Sequence, residues 1–136
     1  MNLDLKEINR CVRCGTCRTV CPVFEESGWE SANTRGRILV MKSLAKGLVA
    51  DSQVLESLNT CTTCGICKDN CPADVNFPRL VESVRRELVA LGIMTPEQAN
   101  LCSKIFESGN TFGDPRDRLM WLKDRSLLRE KVGDDY

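Results

Sequence analysis

The sequence predicts an all-α fold, and three observations carry that prediction. Apolar residues recur at three- and four-residue intervals over several stretches, capping and stop residues bracket those stretches, and no run alternates apolar with polar side chains as a half-buried strand would. Two cysteine-rich runs punctuate the pattern. Between Cys21, which closes the first, and Cys61, which opens the second, lie 39 residues, room for two helices.

Residues 3–9 can form a short lead-in helix whose apolar positions are Leu5 and Ile8. The first cysteine run then calls for irregular backbone and tight turns, because four sulfurs must converge on one small volume. After Pro22 come Val23 and Phe24, then a polar stretch, Glu25-Glu26-Ser27-Gly28, and residues 29–33 lead into the next helix. Over 34–46, Ile38, Met41, Leu44/Ala45 and, just beyond, Leu48 share one face, with Lys42 and Lys46 opposite. Gly47 is placed as the stop. Asp51 can N-cap a second helix with Val54, Leu55 and Leu58 inward, running up to the second cysteine run.

The strongest stripe covers 77–91. Phe77, Leu80, Val81, Val84, Leu88 and Leu91 fall together, and Gly92 ends the helix. Thr95-Pro96-Glu97-Gln98 reads as a capping box with proline at the first helical position, opening a helix to about 108. Asp114-Pro115 repeats that logic for a helix through Met120, Trp121 and Leu122, and residues 133–136 should fray. Trp29 and Trp121 are read as packing residues. Cys102, mid-helix beside Leu101, Ile105 and Phe106, is read as a small buried hydrophobe.

The chain has 136 residues, nine of them cysteine, and none is histidine. A secreted disulfide scaffold would be shorter and would rarely carry an odd cysteine. The first eight residues hold charges where a leader would be apolar, and no window approaches the ~18 uninterrupted apolar residues of a membrane span. These features favour the cytoplasm, where thiols stay reduced. The 19 basic and 19 acidic side chains balance, so the basic footprint of a nucleic-acid binder is missing. Absent histidine also removes Cys/His zinc sites, Rieske-type ligation and the commonest general base.

The cysteines carry the chemistry. Cys11, Cys14, Cys17 and Cys21, followed by Pro22, are spaced C-x2-C-x2-C-x3-C-P. Fifty positions on, Cys61, Cys64, Cys67 and Cys71, followed by Pro72, repeat that spacing, and Gly15 is matched by Gly65. Eight cysteines so spaced are the ligand set of two [4Fe-4S] clusters, since thiolate is the soft donor that iron–sulfur cores take. Zinc would need only paired C-x2-C motifs, and thiol–disulfide chemistry would need a βαβ context that is missing. With two oxidised cores of about +2 each on eight thiolates, the loaded chain sits near −4. The first run is flanked by Arg10, Arg13 and Arg18, whereas the second has Lys68 against Asp69 and Asp74. If those arginines do more than solvate their loop, the cluster on Cys11, Cys14 and Cys17 should have the higher potential.

The spacing resembles that of two-cluster bacterial ferredoxins, in which the Cys-Pro cysteine of each run ligates the other cluster. That resemblance implies one cluster on Cys11, Cys14, Cys17 and Cys71, and the other on Cys61, Cys64, Cys67 and Cys21. Together with the Thr34-Arg35-Gly36-Arg37-Ile38 helix start between the runs, the long helical insert resembles a different scaffold, from about residue 5 to 125. It is similar to the α-helical ferredoxin that forms the C-type component of heterodisulfide reductase, with cysteine loops between helices. Similar domains open the D-type component of heterodisulfide reductase, the C-type component of anaerobic glycerol-3-phosphate dehydrogenase and the glycolate oxidase iron–sulfur subunit. Succinate dehydrogenase and fumarate reductase iron–sulfur subunits use a related helical domain.

The resemblance implies a ferredoxin domain over 1–125, a tail over 126–136, and an electron-relay subunit of an oxidoreductase complex, not catalytic alone. Its expected partners are a flavin- or hydrogenase-type donor and a catalytic subunit with cysteine-rich CCG domains. The alternative is a diffusible ferredoxin-type carrier. Gly109-Asn110-Thr111-Phe112-Gly113, with Arg118 and Trp121 after it, resembles the connector that leads into CCG domains in D-type relatives. On that expectation the chain is either a free-standing C-type component or a piece of a split or truncated larger protein.

Overall fold

The computed structural model describes residues 3–114 and 123–124, and among them every regular element is a helix, as expected. The chain divides into two compact units, Met1–Thr95 and Pro96–Tyr136. The first carries α1 (Leu5–Asn9), α2 (Thr16–Thr19), α3 (Pro22–Ser27), a 3-10 turn (Glu30–Ala32), α4 (Thr34–Ala45), α5 (Ser52–Asn59), α6 (Ile66–Asp69) and α7 (Phe77–Ala90). The second carries α8 (Pro96–Ser108), which opens where the capping-box sequence puts it. The helix expected to open at Asp114-Pro115, Trp121 and the boundary at 125/126 lie outside the described residues.

Four helices begin with one device. Asp4, Asn33, Asp51 and Asn76 each place a side-chain oxygen where it accepts the backbone N–H three residues on, from Glu7, Gly36, Val54 and Arg79 respectively. Each such cap contributes about 1 kcal/mol and fixes where its helix starts. Between the helices runs one apolar core. Ile8 of α1, Ile38, Met41 and Leu44 of α4, Val54 and Leu58 of α5, and Phe77, Leu80, Val81, Val84 and Leu88 of α7 are all buried in it. Cys11, Cys61, Cys67 and Cys71 pack against its edge, which ties the cysteine loops to the helical body.

The stripes are right in their middles and wrong at their ends. Leu5 is exposed and Leu3 takes its place in the core. Leu48 and Leu91 are also exposed, because α4 stops at Ala45 and α7 at Ala90, so the next residues leave the helical phase. Trp29, 71% exposed, is not a packing residue, and Cys102 is exposed on α8 instead of buried. Residues 22–27, to which the sequence reading assigns no element, form a short helix with Pro22 in its first turn and Gly28 at its left-handed end.

One close approach fixes the middle of the unit. A Cβ on Gly36 would lie 1.9 Å from the Glu30 carbonyl oxygen, so only glycine lets the 3-10 turn lie against the first turn of α4.

Candidate iron–sulfur site

The two cysteine runs fold alike. Arg13 and Thr63, each just before the second cysteine of its run, adopt positive φ of 60° and 54°. Gly15 and Gly65 follow at 89° and 85°, then begin the single helical turns α2 and α6 that carry Cys17 and Cys67. Left-handed backbone costs a non-glycine residue about 1–2 kcal/mol, and for a β-branched threonine it is a true outlier. Strain at equivalent positions of both repeats marks a loop wound around something. The helical turns α2 and α6 pack against each other, bringing the runs side by side.

Two cavities result. One is lined by Cys11, Cys14 and Cys17 of the first run together with Cys71 of the second. The other is lined by Cys61, Cys64 and Cys67 together with Cys21 of the first run. Cys67 also borders the first cavity. All eight expected cysteines are thus gathered in two groups, and each group holds a Cys-Pro cysteine from the opposite run. No cysteine of the chain is in a disulfide. The donor set of soft sulfurs fits an iron–sulfur core. Among the described residues no three Cys, Asp or Glu side chains converge tightly enough for one bare metal ion, whereas a polynuclear core needs its ligands spread apart.

The start of α4 forms the wall between the cavities. Thr34 lines both, Arg35 lines the first and Arg37 the second. Sequence reasoning marked this segment as a helix start but missed its place at the site. A signal was present, for Arg37 sits four residues before Met41 and seven before Leu44, on the apolar stripe itself. Arg37 is only 1% exposed; its Nε donates to the Ser57 carbonyl at 2.5 Å and its Nη2 to Thr60 Oγ1 at 2.9 Å. Arg35 instead pairs with Glu30 at 2.6 Å, and that ion pair holds the Glu30 carboxyl below its usual range.

The sulfurs sit in a field of donors. Val75 N–H points at Cys71 Sγ, 3.4 Å away. Burial pushes the Cys17 thiol up, opposed by a backbone N–H bond from Arg35, with the neighbouring charges of Cys11, Cys67 and Cys14 adding to the rise. Burial likewise pushes up Cys67, against a Thr34 hydroxyl bond, with Cys61, Cys64 and Cys21 as its charged neighbours. Cys14 is lowered, chiefly by its hydrogen bond with Thr16. Thiolates this crowded repel one another unless a cationic core lies among them. Such a core can take up and release single electrons with the protein supplying ligands, donors and dielectric.

Comparison with known proteins agrees with this chemistry. Residues 7–75 match the family described as the 4Fe-4S dicluster domain. The chain is also 39% identical over 85 residues to a probable glycolate oxidase iron–sulfur subunit of Bacillus subtilis (strain 168), a match covering 61% of this chain. It spans only 19% of that relative's length. The family match takes in both cysteine runs and the α4 wall between them, and the chain belongs to the 4Fe-4S dicluster domain family, an iron–sulfur electron-transfer domain.

Proposed function

We propose that this chain is an electron-relay subunit that passes single electrons through two [4Fe-4S] clusters to a catalytic subunit of the CCG type. One cluster takes Cys11, Cys14, Cys17 and Cys71, and the other Cys61, Cys64, Cys67 and Cys21. The observation that carries this reading is the lining of each cavity by three cysteines of one run and the Cys-Pro cysteine of the other. Cavities that share Thr34 and Cys67 would set the clusters close together, which suits electron hopping. Cys14 and Cys64 are exposed, so each cluster has an edge where an electron can enter or leave.

The relative's description as an oxidase iron–sulfur subunit supports a catalytic partner, and the donor we propose is a flavin- or hydrogenase-type protein. Among the described residues no helix is long and apolar enough to cross a membrane. We place the relay in the cytoplasm, with any membrane association through its partners, and extend its ferredoxin domain over 1–125. Anaerobic pull-down from the native host tests the reading. Co-purification of a CCG-domain subunit supports it; a monomer that exchanges electrons with many acceptors and retains no partner would favour the diffusible carrier instead.

A further inference from the structure

We infer that Arg37 sets the difference in potential between the two clusters, holding the one on Cys61, Cys64, Cys67 and Cys21 at the higher potential. The inference rests on the reading that each cavity holds a cluster. It reverses the order suggested by the arginines that flank the first run in sequence.

Arg37 is among the largest fully buried side chains of the chain. Its hydrogen bonds to oxygen go to neutral groups, the Ser57 carbonyl and the Thr60 hydroxyl, and none of the ion pairs among the described residues includes it. A guanidinium keeps its proton even when buried. Its countercharge is therefore the sulfur group itself: burial and Arg85 oppose its charged form, whereas Cys61 and Cys21 favour it. Arg85 stands behind the same run, donating to the carbonyls of Leu58, Asn59 and Cys61.

The cations of the first cavity are spent elsewhere. Arg35 also feels the charges of Cys17 and Cys11, but it is paired with Glu30 at 2.6 Å, whose carboxylate offsets its charge. Arg10 is shared between Glu7 at 3.2 Å and Asp74 at 3.6 Å. Arg18 lies over the Phe24 ring, 4.9 Å from its centre, and Arg13 is exposed. Exposed charges are screened within about 8–10 Å at ordinary salt, whereas a buried one is screened far less. Adding one electron makes a cluster more negative by one charge, so the cluster beside an uncompensated buried cation is the easier to reduce.

The test is an EPR-monitored potentiometric titration of the anaerobically reconstituted full chain, with dithionite supplying the electrons. Arg37→Gln, Arg37→Lys and Glu30→Gln are compared with the parent. Arg37→Gln is expected to lower the higher-potential step by at least tenfold in the reduction equilibrium, about 59 mV for one electron, and to leave the other step in place. Arg37→Lys should restore most of the loss. Glu30→Gln, which frees Arg35, should raise the lower step alone. Equal shifts of both steps in Arg37→Gln, no shift, or a shift confined to the lower step would overturn the inference. Should Arg37→Gln fail to load, Glu30→Gln decides: an unmoved lower step overturns it. Iron near four per chain in the parent would instead sink the two-cluster reading on which it rests.

Discussion

The carboxylate of Glu7 accepts the backbone N–H of Asn76 at 2.7 Å, although the two residues lie 69 positions apart. Glu7 sits in α1, just before the first cysteine run, and Asn76 caps α7, just after the second. The same carboxylate pairs with Arg10, which also reaches Asp74. The entrance to one run is thereby tied to the exit from the other. Glu7→Ala leaves a half-buried N–H without its acceptor, which costs about 1–3 kcal/mol. A lowered urea midpoint with an unchanged slope, and faster iron release to a chelator, are the expected readings.

Two glycines should fail for different reasons. Gly36→Ala drives a methyl into the Glu30 carbonyl, so it should displace the 3-10 turn and cost at least ~1–3 kcal/mol. A Cβ on Gly65 meets nothing within 4 Å, but its φ of 85° is left-handed. Gly65→Ala should therefore cost only the backbone strain, about 1–2 kcal/mol. Thermal unfolding of the two variants, measured side by side, checks the order.

Arg85 closes the end of α5. Its Nη2 reaches the carbonyls of Leu58 at 2.5 Å, Asn59 at 3.2 Å and Cys61 at 2.6 Å. Arg85→Lys keeps the charge but loses the fork that serves three acceptors. It should destabilise the chain by about 1.5–3 kcal/mol, close to the effect of Arg85→Gln. Full recovery of stability in the lysine variant would show that charge alone matters there.

Cys102 lines neither cavity and is exposed on α8. Cys102→Ser should leave iron content and both redox steps unchanged, with stability altered by no more than about 0.5 kcal/mol. Cys64→Ser, by contrast, should disturb one cluster and spare the other.

The helices and the cysteine pattern were legible because their signals are local. Cap residues such as Asp51 sit three positions from the N–H they bind, and the stripe from Phe77 to Leu88 needs only helical periodicity. The four-cysteine spacing is local as well. What escaped the sequence depends on distant partners. Arg37 occupies a core position because its acceptors, Ser57 and Thr60, lie 20 and 23 residues away, and no window around α4 contains them. The pairing of Arg10 is non-local in the same way, since one of its two carboxylates, Asp74, comes from beyond the second run. Leu5 and Leu3 traded places because a one-turn helix offers too few residues to set a phase.

The exchange of Cys21 and Cys71 between clusters is the central claim, and the EPR spectrum of reduced Cys71→Ser tests it most directly. The spectra of Cys14→Ser and Cys64→Ser supply the references, one for each cluster. Cys71→Ser is expected to disturb the same component as Cys14→Ser, although it lies beside Cys64 and Cys67 in sequence. A disturbance matching Cys64→Ser would contradict it, and would mean that each run holds its own cluster with all four of its cysteines.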